Sequence, residues 1–354
     1  MLDVIQLLNL AVEKRASDLH LVVGVPPSLR VDGQLFSVSN EPIVTNEFVE
    51  KVAATVLKPD QFERFKVNKD LDFSFYLGDS ARFRVNAYFQ KGSYSFSFRV
   101  IPSQILTIEE LGLPTILHSF TKLRQGLVLI TGPTGHGKST TLASILDEIN
   151  RSRSEHIVTI EDPIEFIIRP DKSIISQREV GFDTHSWQIA LRSVLREDPN
   201  VVMIGEMRDL ETISAALTVA ETGHLVFATL HTNSASQTID RIVDVFPENQ
   251  QGQIRLQLSN TIEGVFSMRL LPAIGGGRVV AYELMLGTPA VRSVIREGKT
   301  HLLDNIIQTS QEFGMSTLEM SLAQLVKEGK VSIEVAQSYS LRPDELLRLV
   351  KGEV

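Results

Sequence analysis

The chain has no cysteine, which excludes disulfides, cysteine-zinc sites and thiol catalysis and suits a cytoplasmic protein. Long apolar runs are missing as well. The longest, at 127–130 and 225–228, are of buried-strand length, far short of the ~20 apolar residues that a membrane span needs. Nor does the N-terminus make a signal peptide. Asp3, Glu13, Lys14 and Arg15 interrupt MLDVIQLLNLAVEKRASDLH, which lacks a basic start and a continuous apolar stretch. A membrane role would therefore go through a partner, without direct insertion. An excess of positive charge is also lacking. The formal net charge of −8 argues against a protein whose main task is holding nucleic acid, although a local basic groove fits within that total.

What is present is the composition of a soluble globular protein, 43 % hydrophobic and 22 % charged. At 354 residues the chain exceeds one ordinary core, so two domains are expected. Leu2, Ile5, Leu8 and Val12 recur at helical spacing over 1–16. A strand-like LHLVV follows, and then Asp32-Gly33 between two short apolar runs, a hairpin signal because both residues tolerate positive φ. Helices are expected at 45–57 and 59–67, and strands at 72–77, 81–89 and 93–101. In those strands aromatic and polar residues alternate, which gives a sheet with one buried and one wet face. This α+β region ends near Pro102. No acidic residue occurs between Asp79 and Glu109, whereas Arg82, Arg84, Lys91 and Arg99 do. These cations form either a solvated strand face or a set of charges presented to a phosphate.

From Gly126 the pattern changes to buried strands alternating with helices: GLVLIT and a helix at 138–150, HIVTIE with a loop and a small strand pair, a helix at 184–196, VVMIGE and a helix at 209–222, LVFATLH and helices at 234–246 and 249–265. Such alternation means a mostly parallel sheet covered on both faces. A strand pair at 267–272 and 278–286 precedes a helical stretch, 288–350.

Gly132-Pro133-Thr134-Gly135-His136-Gly137-Lys138-Ser139 satisfies GxxxxGK[ST], with Thr140 next. The glycines let backbone N–H groups turn inward around phosphates, and the helix that follows adds its positive end. Lys138 can reach the β- and γ-phosphates of ATP, and the Ser139 hydroxyl can ligate Mg²⁺. Hydrolysis also needs carboxylates, to hold Mg²⁺ and to activate water. Two clusters sit where ligands bind in open α/β sheets, at the C-terminal ends of strands. One is Glu161-Asp162-Pro163-Ile164-Glu165, and the other is Glu206. His231, at that same end of LVFATL, is placed to sense or contact the γ-phosphate. His224, at the opposite end, is a cap or an interface residue.

With these residues in view the chain resembles the secretion-type ATPases that power type II secretion and type IV pili, and among them the pilus retraction (PilT) family. ASDLHLVVGVPPSLRVDG resembles the family's N-terminal signature, GPTGHGKST its Walker A, IEDPIEF its Asp box, VVMIGEMRDLET its Walker B region and TGHLVFATLHTN its His box. RIVDVFPENQQGQIR and TPAVRSVIREGK extend the likeness further along the chain. The resemblance implies a RecA-like P-loop core at 116–287, a PAS-like α+β domain at 1–102, a linker at 103–115 and a helical region at 288–354. It also implies a cytoplasmic homohexamer at the inner face of the membrane. That ring would hydrolyse ATP and act through an inner-membrane platform protein to withdraw pilin subunits.

Carried over by position, Lys138 and Ser139 hold phosphate and Mg²⁺, and Glu206 is the Walker B acid. An Asp-box glutamate, Glu165 ahead of Glu161, is the water-activating base. Arg84 and Arg99, then Arg82, close on the γ-phosphate. His136 stands where the family usually has serine, and as a backbone contributor it should change nucleotide affinity little. Asn200 replaces an aspartate outside the proposed chemistry. The helical stretch 288–350 carries no catalytic element and is expected to grip the platform, which a charge swap at Arg292 or Arg296 would test. Competing readings are an assembly or type II secretion motor, a nucleic-acid translocase sharing the P-loop ring, and a nucleotide-binding scaffold without hydrolysis.

Overall fold

Alternating apolar residues and well-capped helices organise the first part of the chain in the computed structural model, which describes residues 3–14, 16–31, 34–38, 41–78, 81–101 and 104–352. Helix α1 (Val4–Glu13) starts on the Asp3 carboxylate, which accepts the Ile5 N–H at 2.8 Å, and buries Val4, Leu7, Leu8 and Ala11. Strands β1 (Asp18–Leu21), β2 (Ser28–Val31) and β3 (Gln34–Ser37) follow, then helices α2 (Asn46–Val56) and α3 (Pro59–Asn68), and then strands β4 (Asp70–Leu77), β5 (Ala81–Gln90) and β6 (Ser93–Ile101). The turn expected at Asp32-Gly33 lies outside the described residues, as does Pro102. The strands flanking the turn pair antiparallel, Val31 opposite Gln34.

All six strands form one antiparallel sheet in the order β3-β2-β1-β6-β5-β4. Phe83, Val85, Ala87, Phe96 and Phe98 point to its buried face. The other face carries a cross-strand row of charge. Arg30 faces Asp18, Asp18 faces Arg99, and Arg99 faces Arg84. Period-two alternation puts all four on one face, as the sequence requires.

After helix α4 (His118–Thr121) the apolar runs lose their alternation and become strands buried on both faces. Strand β7 (Gly126–Thr131) leads through the glycine loop to helix α5 (Lys138–Ser152). Then come β8 (His156–Glu161), β9 (Ile174–Glu179), α6 (Trp187–Val194), β10 (Val201–Ile204), α7 (Leu210–Glu221), β11 (Leu225–Leu230), α8 (Ala235–Asp244), α9 (Glu248–Thr261), β12 (Ile262–Pro272) and β13 (Arg278–Leu286). The sheet order is β13-β12-β7-β11-β10-β8-β9, parallel except for the β12–β13 hairpin. Every residue of β7 and β11 is buried.

Three elements depart from the sequence reading. The expected strand pair after β8 is a single strand, β9, that joins β8 in parallel. Helix α6 starts at Trp187, where the Ser186 hydroxyl accepts the Ile189 N–H. Helix α9 stops at Thr261 because the apolar run from Ile262 is drawn into the sheet beside β7.

Helices α10 (Pro289–Arg296), α11 (Leu303–Thr309), α12 (Leu318–Lys327), α13 (Ile333–Tyr339) and α14 (Pro343–Lys351) complete the chain. They share a core with the β12–β13 hairpin, where Leu271 and Ala281 meet Leu318, Leu322 and Leu346. The buried Glu319 carboxylate accepts the Leu341 and Arg342 N–H groups at 3.0 Å each and fixes the entry to α14. Arg292 ties the first of these helices to the rest of the chain. Its guanidinium donates to the Ser259, Asn260 and Gly287 carbonyls and pairs with Glu263 at 2.7 Å.

The chain divides into two compact units, Met1–Gln104 with Glu165–Ile167, and Ile105–Ile164 with Ile168–Val354. Among the described residues no helix is long and apolar enough to cross a membrane.

Candidate nucleotide site

Strand β7 fixes one end of the glycine loop and α5 the other. The loop rests on β12, and the contact is tight. At Gly132, with φ 138°, a Cβ would lie 2.3 Å from the Met268 carbonyl oxygen, so no other residue fits there without moving backbone. Gly137 is the N-cap of α5 and supplies no side-chain cap, and the first turn of that helix carries no acid. Its leading N–H groups are therefore available to an anion, and the helix dipole favours one. Thr134 and Gly135 are exposed, and Pro133, Ser139 and Thr140 are half-buried.

His136 does more than its backbone. Its Nδ1 accepts the Leu270 N–H at 2.9 Å, a donor on β12 beyond the end of β7, where the last paired residues are Thr131 and Ser267. The imidazole thus takes the place of a strand partner and ties the loop to the sheet. Burial lowers the His136 pKa, and the nearby Arg269, Lys138 and Arg278 cations lower it further, which keeps Nδ1 an acceptor. The sequence reading of a position that counts mainly through its backbone is corrected here.

Lys138 is buried. Its ammonium donates to the Gly132 carbonyl at 2.8 Å and the Pro133 carbonyl at 3.0 Å, and lies 3.3 Å from the His231 Nδ1. Thr134 Oγ1 lies 3.3 Å from the same nitrogen. Because the lysine can only donate, Nδ1 is the acceptor, and the imidazole proton sits on Nε2. That nitrogen is 3.1 Å from Glu206 Oε1. His231 therefore bridges the loop lysine and the strand-end acid.

Glu206 follows β10, and neighbouring strands hold its backbone on both sides. Gly205 N–H donates to the Ile160 carbonyl at 2.8 Å, and Met207 N–H to the Thr229 carbonyl at 3.0 Å. Its second oxygen, Oε2, accepts from Arg208 Nη2 at 2.7 Å. Burial pushes the Glu206 pKa up, but Arg208 and His231 outweigh it and leave the carboxyl below its usual value. Arg208 was not singled out in the sequence. The signal was there, in a cation two residues past a strand-end acid in GEMRD.

Glu161 ends β8 as a buried side chain. It accepts from Thr159 Oγ1 at 2.6 Å and from Gln177 Nε2 at 3.1 Å. Glu165 lies beyond it, is exposed, and groups with the first compact unit. His224, at the far end of β11, has its Nδ1 3.1 Å from the Val219 carbonyl and 3.0 Å from Thr222 Oγ1 at the close of α7, which fits the capping reading.

The three candidate arginines all lie on the first unit's sheet. Arg99 pairs with Asp18 at 3.0 Å and Arg84 stands 3.9 Å from Asp72. Arg82, by contrast, is 3 % exposed, donates to Ser74 Oγ at 2.8 Å and lies over the Tyr76 ring.

Loop, lysine and strand-end acid on a parallel sheet define a P-loop nucleotide-binding protein with a RecA-like α/β core. The chain belongs to the type II/IV secretion system protein family, whose model matches residues 2–275. It is 48 % identical over 343 residues to the type IV pilus retraction ATPase PilT of Pseudomonas aeruginosa, covering 97 % of this chain and 99 % of that one. A twitching motility protein of Neisseria gonorrhoeae is 46 % identical over 88 % of this chain and 83 % of its own length. Among solved structures, the pilus retraction motor PilT with bound ADP superimposes with a TM-score of 0.92 at 46 % identity, over 98 % of this chain and 100 % of that one.

Proposed function

We propose that this chain is a homohexameric, ATP-hydrolysing motor that drives type IV pilus retraction through an inner-membrane platform protein, working at the cytoplasmic face of that membrane. The observation that carries the reading is the bridge Lys138–His231–Glu206, which joins the phosphate-binding loop to the acid that hydrolysis needs. The high identity to a named retraction ATPase along nearly the whole chain supports retraction over assembly.

In this reading the loop N–H groups of 132–140 and the Lys138 ammonium take the phosphates, and Lys138 gives up the Gly132 and Pro133 carbonyls to do so. The Ser139 hydroxyl and the Glu206 carboxylate form an oxygen donor set of the kind Mg²⁺ takes, with water and phosphate oxygens completing it. When bound, that ion neutralises charge on the β- and γ-oxygens. Glu165 is the better candidate for the base that orients and deprotonates water, because it is exposed while Glu161 is buried against Thr159 and Gln177. Arg84 and Arg99 lie opposite each other in register with side chains 44 % and 65 % exposed, so two cations stand side by side where an anion could reach both. They are assigned to the γ-phosphate ahead of the buried Arg82.

We further propose the division 1–102, 103–115, 116–287 and 288–354, with nucleotide-driven closure of the first part on the third as the source of motion. Purified protein should hydrolyse ATP with Mg²⁺, and deletion of the gene should leave cells with excess fibres that do not retract. Loss of fibres on deletion would instead assign the chain to assembly.

A further inference from the structure

Both carboxylate oxygens of Glu206 are engaged, one by each of two very different donors. Oε1 faces His231 Nε2 at 3.1 Å, and Oε2 takes Arg208 Nη2 at 2.7 Å. The histidine donates through Nε2, because its other nitrogen accepts from Lys138. The arginine brings a full positive charge to the acid that the proposed function gives to Mg²⁺, and two cations cannot share that oxygen without repulsion.

Arg208 is also built to move. Its side chain is 73 % exposed while that of Glu206 is 20 % exposed, so an arm lying mostly in solvent reaches into a largely covered carboxylate. Asp209, the next residue, caps α7 by accepting the Thr212 N–H at 2.9 Å. That leaves Arg208 just outside the positive end of the helix, where a cation is disfavoured. Two acids compensate, Glu206 by direct contact and Asp162 by its field. Glu206 is the sole acid of the loop between β10 and the Asp209 cap, and Asp162 follows β8 on the neighbouring strand.

We propose that Arg208 is the resident counter-ion of Glu206. It holds the carboxylate oriented and screened when no divalent cation is bound, and releases it, turning toward Asp162, as the site loads. Arg208 is thus a positioning residue that sets how much Mg²⁺ loading requires. This inference rests on the Mg²⁺–ATP reading given above.

The experiment titrates Mg²⁺ into the full-length protein at a saturating, non-hydrolysable ATP analogue. Binding is followed by calorimetry and by fluorescence of Trp187, the only tryptophan, whose ring lies 3.4 Å from the position of a Cβ on Gly205. With Arg208→Ala the half-saturating Mg²⁺ concentration should fall about tenfold, the weight of one charge-assisted hydrogen bond. With Arg208→Lys, which keeps the charge, it should stay within about twofold of the unaltered protein. A half-point in Arg208→Ala that is unchanged or raised overturns the counter-ion role, because the arginine would then be indifferent to the metal or needed for it. If the unaltered protein shows no Mg²⁺-dependent binding of the analogue, the nucleotide reading and the counter-ion fall together.

Discussion

The two sheets of this protein place their charges by opposite rules. In the parallel sheet every residue of β7 and β11 is buried, so the faces are closed to chemistry, and Lys138, Glu161, Glu206 and His231 gather where strands end. In the antiparallel sheet one face carries Arg30, Asp18, Arg99 and Arg84 in a single cross-strand row, with Arg99 and Arg84 inside their strands. The strand-end groups are held by several partners each. Arg99 pairs with Asp18 at 3.0 Å and Arg84 stands 3.9 Å from Asp72, and the two arginines face each other as like charges. A preformed site and a charged face thus follow from strand direction and burial alone.

The sharpest way to break that contrast is at the strand-end acid. Glu206→Gln should lower ATP turnover about 10³-fold while nucleotide binding by calorimetry persists, because the amide keeps the shape and loses the charge. Normal turnover would mean that this carboxylate is not the metal-facing group. On the antiparallel sheet Arg99→Ala and Arg84→Ala should each reduce turnover about 10²-fold with little change in affinity for ADP, since their proposed target is the γ-phosphate. Arg82→Ala should instead show up in thermal unfolding, because Arg82 is buried against Ser74 and Tyr76.

Much of this was legible in the sequence. Local spacing encodes a glycine loop between a buried run and an amphipathic helix, and it encodes acids that follow buried runs. Both sheets and the loop therefore emerge from pattern alone. Spacing places Arg82 and Arg84 on one face but says nothing of the Tyr76 ring that packs on the first. The side-chain contacts of His136, Arg208 and Arg292 escaped for the same reason. Their partners, Leu270, Glu206 and the carbonyls of Ser259 and Asn260, are set by chain packing, and for His136 and Arg292 they lie far away in sequence.

Arg292 sharpens the comparison for the C-terminal helices. Arg292→Ala should destabilise the protein by about 2–3 kcal/mol in denaturant unfolding, because it strands Glu263 and three carbonyls. Arg296→Ala, in the same helix but exposed, should shift stability by less than about 0.5 kcal/mol. A charge swap meant to probe a platform-gripping surface therefore belongs at Arg296.

A smaller effect than at Arg292 is expected at His136, and pH is what reveals it. The folded state keeps this imidazole neutral, since protonation would turn Nδ1 from an acceptor of the Leu270 N–H into a donor facing it. Arg269, Lys138 and Arg278 oppose a further positive charge, and the Tyr339 ring, 6.3 Å away, offers no compensating anion. A depressed folded pKa means that the unfolded chain binds more protons below the ordinary value of 6.5, so stability falls as pH drops. The contribution of His136 is complete above that value and is lost as pH descends from it through the folded pKa. His136→Ser should therefore cost about 1 kcal/mol at pH 7.5, and the gap to the unaltered protein should narrow at pH 5.5. A gap of the same size at both values would show that the Leu270 bond is not what the imidazole contributes.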